Sequence, residues 1–226
     1  MFKEAETYLY TYKEKNEVFL AMTSLEEFWD QSMPMIFLGE WCLRYSRKFV
    51  WQGLGDKLVY QGWQSGSEFA KDCLYIEQIY EDSIISMSAI LNRIHNMNFS
   101  TQYWRIIIGP WLYWYITTVY DRYRALVLAS EQYENISTIG LDPRDFTVPI
   151  DTMDFVNRCK EDSYQLQIFT KIAIRLGWEM SFKRHIQPAT YCGNKPSIKT
   201  KIKNKIFNVI YQNCKNKIVC NCEYFS

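Results

Sequence analysis

Two groups of residues could do chemistry. The first lies in Leu38-Gly-Glu-Trp-Cys-Leu-Arg-Tyr-Ser-Arg-Lys48, where Glu40, Arg44, Arg47 and Lys48 follow a short apolar run. If that run is a strand of a parallel sheet, they stand at its carboxyl edge, where open α/β sheets bind ligands. Arginine suits phosphate because its planar fork donates two parallel hydrogen bonds. Glu40 could act as an acid or base, but Glu40 and Arg44 are also spaced as a surface ion pair on a helix, worth a few tenths of a kcal/mol. Spacing alone leaves both readings open.

The second group is His95 in LNRIHNMNFS, followed by Trp104-Arg105 and by Asp121-Arg122 within Tyr120-Asp-Arg-Tyr-Arg124. Indole faces stack on the C–H faces of sugars, and Arg and Asp bind their hydroxyls. The same aromatics suit a core edge where long side chains reach out to water. His95 is a candidate acid or base; it equally suits a helix end, where carbonyl dipoles favour a cation. Glu40, Arg44, His95, Arg105 and Arg122 are expected to line one cleft, with Arg47, Trp104 and Asp121 as further substrate contacts.

Other chemistries find no support. Dinucleotide, P-loop, zinc-protease and nucleophile-elbow motifs are absent. The terminal Cys214, Cys220 and Cys222 lack paired C-x2-C knuckles and a following histidine, so no metal is expected. Seven cysteines, an odd number, and an opening stretch with Lys3, Glu4, Glu6, Lys13, Glu14 and Lys15 instead of a signal sequence predict reduced thiols in the cytoplasm. The N-x-S sequons at Asn98 and Asn135 then carry no meaning. The apolar stretch Ile106–Tyr120 is shorter than the roughly 20 residues of a membrane span and continues past Arg122, as a buried helix would.

The elements that must position these groups read as an α/β unit followed by long helices. Glu17–Ser24 is a buried strand running into a helix capped by Ser24 and Glu27, and Met35–Gly39 is a second strand feeding a helix through Trp41, Tyr45 and Phe49. Lys57–Gln61 is a weaker third strand. Ser65 and Glu68 cap a helix to about His95, with Phe69, Cys73, Ile76, Ile79, Met87, Ile90 and Ile94 along one stripe. The next helix runs from Thr101 to Tyr133 with a kink or break at Pro110. A short strand at Ser137–Leu141 and helices at Thr152–Lys160 and Ser163–Leu176 follow, capped by Asp151 and stopped at Gly177.

At 226 residues with 48% apolar and 17% aromatic content, the chain can bury a sizeable core and is not disordered. Its net charge of +1 conceals a split: residues 181–226 carry nine Lys or Arg against Glu223, a charge of +8, while the first 180 carry −7. An acidic body repels phosphate backbones, so nucleic acid is not an expected partner. The division read here is an extension at 1–16, a helix-rich α/β lobe at 17–180 and a basic tail at 181–226. Lys195–Lys217, where Ile alternates with Lys and Asn, reads as a half-wet strand or a loose tail.

Phe37–Lys48 (FLGEWCLRYSRK), Leu91–Leu112 (LNRIHNMNFSTQYWRIIIGPWL), Tyr120–Tyr123 (YDRY) and the preceding Leu25–Asp30 (LEEFWD) together resemble the N-terminal region of a family of bacterial transferases. That family is encoded in surface-carbohydrate and O-antigen loci. The resemblance covers residues 17 to 180 and implies one lobe of a two-lobed, glycosyltransferase-like enzyme, with a small parallel sheet and long helices. It implies a carbohydrate acceptor on this lobe. No cofactor is implied in this chain, and a nucleotide-sugar donor belongs to a second lobe. Members continue beyond this length, so residues 181–226 read as a truncated start of that lobe, or the lobe is a separate chain. Peripheral contact with the inner membrane is a further expectation. The alternative is a non-catalytic helical binding or scaffold module docking a protein partner or an anionic membrane surface.

Overall fold

The computed structural model describes residues 14, 17–54 and 57–185. The readings on Lys195–Lys217 and on the terminal cysteines lie outside them. The described residues form two compact units, one from 14, 17–54, 57–62, 122–146 and 158–185, the other from 63–121 and 147–157.

Unit one is the α/β part. β1 (Val18–Ala21) and β2 (Met35–Gly39) are buried along their whole length, as continuous apolar runs are when a parallel strand is covered on both faces. With β3 (Leu58–Tyr60) and β4 (Ile136–Ser137) they make a parallel sheet in the order β3-β2-β1-β4, registered by Leu20 on Ile36, Phe37 on Leu58 and Phe19 on Ser137. After Thr138 the chain extends again as β5 (Ile139–Leu141), which pairs in parallel with β6 (Ser181–Lys183). The single strand expected at Ser137–Leu141 is thus two, and the chain is still strand-forming beyond residue 180.

The helices expected after β1 and β2 do not form. Glu26–Phe28 is one 3-10 turn, and Ser24 does not cap it; the Ser24 hydroxyl donates to Asp162 instead, at 2.8 Å. The segment after β2 breaks into 3-10 turns at Glu40–Cys42 and Tyr45–Arg47 and one helical turn, α1 (Lys48–Trp51). Tyr45 and Phe49 are 86% and 71% exposed, so the helical spacing of Trp41, Tyr45 and Phe49 marks no buried stripe. What fixes this segment is Trp41, whose ring stacks on Phe169 at 5.6 Å. Phe169 belongs to α5 (Asp162–Arg175), which buries Leu166, Phe169 and Ala173 and ends where Gly177 turns to φ +81°.

Unit two is helical. α2 (Gly66–His95) starts at Ser65, whose hydroxyl accepts from the Glu68 N–H at 3.2 Å, and ends at Asn96 in the left-handed conformation. α3 (Thr101–Gln132) runs without a break through Pro110, and its residues from Arg122 onward belong to unit one. Ile76, Ile79, Ile84, Met87 and Leu91 of α2 pack with Trp104, Leu112 and Ile116 of α3. Phe69, Cys73 and Ile94, expected on that stripe, are exposed. Gly109 allows the helices to close, because a side chain there would stand 2.5 Å from the Tyr80 hydroxyl. The Ile106–Tyr120 stretch buries only one face; Ile106, Ile107, Tyr113 and Trp114 are exposed. Among the described residues no helix is long and apolar enough to cross a membrane. A short helix, α4 (Thr152–Arg158), is capped by Asp151, which accepts from the Asp154 N–H.

Candidate functional site

The strand order of unit one creates a position that ligands use. The chain steps outward from β1 to β2 and β3, then returns to β4 on the other side of β1, so the strand order reverses between β1 and β4. In open parallel sheets the connections leave such a reversal point in opposite directions and open a crevice beyond the carboxyl ends. The residues just past the carboxyl ends are Met22 to Ser24 after β1 and Glu40 to Arg47 after β2; β5 and β6, a separate two-stranded sheet, are followed by Asp142 to Asp145 and by Arg184 and His185.

The end of β1 and the turn after it are pinned by side chains. Four successive carbonyls accept from side chains: Leu20 from the Thr138 hydroxyl (2.8 Å), Ala21 from the Cys42 thiol (3.2 Å), Met22 from the Trp41 indole (3.2 Å) and Thr23 from the Trp29 indole (2.7 Å). Leu20 and Ala21 close β1, and Met22 and Thr23 leave the ladder, where a buried carbonyl needs such a partner. Burial pushes the Cys42 thiol up to about 12, so it serves as a donor here and not as a nucleophile. Gly39 lets Trp41 reach its place, since any Cβ at that position would overlap the indole ring.

Around this turn the charged side chains are interlocked. Asp162, at the start of α5, accepts from Ser24 and pairs with Arg44. Glu26 takes Arg47 bidentately at 2.8 and 2.6 Å. Asp142 holds Arg144 at 2.6 Å, and Asp145 holds Arg184 at 2.5 Å. Hydrogen bonds from Arg144 bring the Asp142 carboxyl down to about 2, and Arg184 lowers Asp145 likewise. The His185 Nδ1 lies 2.5 Å from Glu27 Oε1, its backbone N–H donates to Asp145 at 3.0 Å, and Lys183 donates to the Glu27 carbonyl at 2.6 Å. The guanidinium side chains are half or more exposed, from 52% for Arg44 and Arg47 to 72% for Arg144, so each can turn to an incoming anion or hydroxyl.

The residues singled out from sequence fall in both units. In unit one, Glu40, Arg44 and Arg47 stand at the carboxyl edge, with Glu40 exposed and Arg44 paired with Asp162. Arg122 donates to Gln165 Oε1 at 3.0 Å. In unit two, Asp121 is half-buried on α3. Arg105 is clasped bidentately by Glu81 at 2.5 and 2.6 Å, which lowers the Glu81 pKa and raises that of Arg105. Trp104 is buried, its indole donating to Asn92 at 2.8 Å, and His95 is exposed and stacks on it at 5.9 Å. The sequence reading missed Ser24, Asp142, Asp145, Asp162, Glu27 and His185. Ser24 reads locally as a cap; Asp162, Asp145 and Glu27 meet partners far along the chain, and Asp142 meets Arg144 two residues on in a turn with no motif to mark it. Only the type of His185, one of two histidines in the chain, could have flagged it.

Residues 18–226 match the family described as LIC12162 family transferase. No curated protein and no solved structure matches the chain.

Proposed function

Because the chain belongs to the LIC12162 family of transferases, we propose that unit one binds the carbohydrate acceptor of a sugar-transfer reaction in surface-polysaccharide synthesis. The observation that carries this reading is the pinned turn at the β1/β4 reversal point, surrounded by Ser24, Arg44, Asp162 and Asp142. Hydroxyl-rich ligands need donors and acceptors in alternation, and paired carboxylates and guanidiniums supply both within a few ångströms. Half-exposed arginines also suit a phosphate that links such an acceptor to its carrier. A nucleotide sugar is the donor class. The parallel sheet favours this reading over a docking module built only of helices.

The test uses the full chain and a panel of UDP-, GDP- and dTDP-linked sugars with mono- and oligosaccharide acceptors, following release of nucleoside diphosphate. Arg44→Ala and Asp162→Asn are expected to raise the acceptor KM at least tenfold, because each removes one of the groups that meets the acceptor. Unchanged acceptor KM in both variants would place the acceptor elsewhere.

A further inference from the structure

The structure assigns His185, oriented by Glu27, as the general base that takes the proton of the acceptor hydroxyl. This assignment rests on the acceptor-binding reading of the same sheet edge and adds its chemistry.

Three contacts fix the imidazole. An ionised carboxylate only accepts, so the 2.5 Å contact with Glu27 puts the ring hydrogen on Nδ1 and leaves the Nε2 lone pair as the basic position. The His185 backbone N–H is tied to Asp145, and the ring lies against Phe28 at 6.2 Å. Glu27 is itself fixed by Lys183, which donates to its carbonyl. A carboxylate, an imidazole on its Nδ1 side and an open Nε2 form the arrangement by which enzymes hold a base in one tautomer and stabilise the cation that results. The His185 side chain is 17% exposed, so it is sheltered from bulk water without being sealed from it.

The location agrees with the role. β5 and β6 form their own two-stranded parallel sheet, so His185 emerges at the same end as Asp142, and its contact with Glu27 ties that end to the turn after β1. Glu27 comes from the turn that follows β1 and Ser24. The base is thus built by the two chain segments that leave the carboxyl ends of β1 and β6. The other charged groups of these segments are Glu26 with Arg47, Asp142 with Arg144, Asp145 with Arg184, and Lys183. Each of these acids except Glu27 has an arginine, so Glu27 is the carboxylate committed to the imidazole.

In the step, the acceptor O–H bond breaks and its proton passes to His185 Nε2. The acceptor oxygen forms a bond to the anomeric carbon of the nucleotide sugar. The anomeric C–O bond to phosphate breaks, and its electron pair leaves with the nucleoside diphosphate. Glu27 balances the imidazolium and acts as a positioning residue.

The experiment measures nucleoside diphosphate release by the full chain from the same donor and acceptor panel, with circular dichroism as a check on folding. His185→Gln is expected to lower kcat at least 100-fold with KM within about threefold, the range of a lost general base. Glu27→Gln is expected to lower kcat about tenfold with the acceptor KM unchanged, since the ring loses the carboxylate that holds its tautomer and orientation. With only two histidines in the chain, the His185 ring nitrogens are assigned by comparison with His95→Asn, and ¹⁵N spectra at pH 8.5 should show the Nδ1–H tautomer. An Nε2–H tautomer overturns the assignment, as does His185→Gln turnover within threefold of wild type. If His185→Gln stays active while Arg44→Ala loses acceptor affinity, the base is wrong and the acceptor site stands. If neither variant has an effect, or the panel gives no turnover, both fall.

Discussion

Replacing Gly39 by alanine should damage the sheet edge through a single neighbour. Gly39 has φ −167°, an extended backbone that alanine adopts without strain, so the cost comes only from space. The new methyl group would overlap the Trp41 ring, which must then leave its stack on Phe169 and its hydrogen bond to the Met22 carbonyl. Losing the stack costs about 1 kcal/mol, the hydrogen bond about 1 kcal/mol, and residual overpacking about 1 kcal/mol. Gly39→Ala should therefore destabilise by about 3 kcal/mol, near the upper end of ordinary single substitutions. In a Trp41→Ala background the methyl group meets no ring, and the same change should cost less than about 0.5 kcal/mol, a coupling of roughly 2.5 kcal/mol. Urea unfolding at 25 °C, followed by far-ultraviolet circular dichroism on the four members of the cycle, measures this directly. Equal costs of Gly39→Ala in the two backgrounds would refute the steric argument, and with it the claim that Trp41 holds the turn after β1.

Three further outcomes are expected. Asn92→Ala removes the bonds to both backbone groups of Phe99 and to the Trp104 indole; the loss of one part-buried and two exposed bonds should cost about 1.5 kcal/mol, read as a lower urea midpoint. Asp142 has its pKa lowered to about 2 from 3.8, so its contribution to stability is fully present above pH 4 and lost as pH falls through 2; thermal melts from pH 5 to pH 2 should fall less steeply for Asp142→Asn than for wild type. Iodoacetamide at pH 8 should label exposed Cys73 within minutes and leave Cys42 intact until the chain unfolds, because the buried thiol stays protonated; mass spectrometry of the peptides decides this, and rapid Cys42 labelling would contradict its burial.

The elements that could be read from sequence are those whose pattern is local. Met35–Gly39 is a strand because five consecutive buried residues after Pro34 admit little else, and α2 begins at Ser65 because the hydroxyl cap lies three residues from its N–H partner. The turns after β1 and β2 mislead for the same reason: Ser24 with Glu27, and Trp41 with Tyr45 and Phe49, satisfy local helical rules, but Asp162 and Phe169 from α5 offer Ser24 and Trp41 better partners. β6 was invisible because all three of its residues are exposed and its identity comes from pairing with β5.

The sequence by itself determined that the chain is helix-rich α/β, that its apolar runs near the start are buried strands, and that Arg44 and Arg47 follow the end of one. Only the tertiary structure decided which charges meet. Arg44 is four residues from Glu40 yet pairs with Asp162, and His185 meets Glu27 across most of the described chain. Burial and capping depend on neighbours a few residues away and are written in spacing. Ion pairs and the sheet edge depend on which strands lie side by side, and parallel pairing joins segments that spacing does not relate.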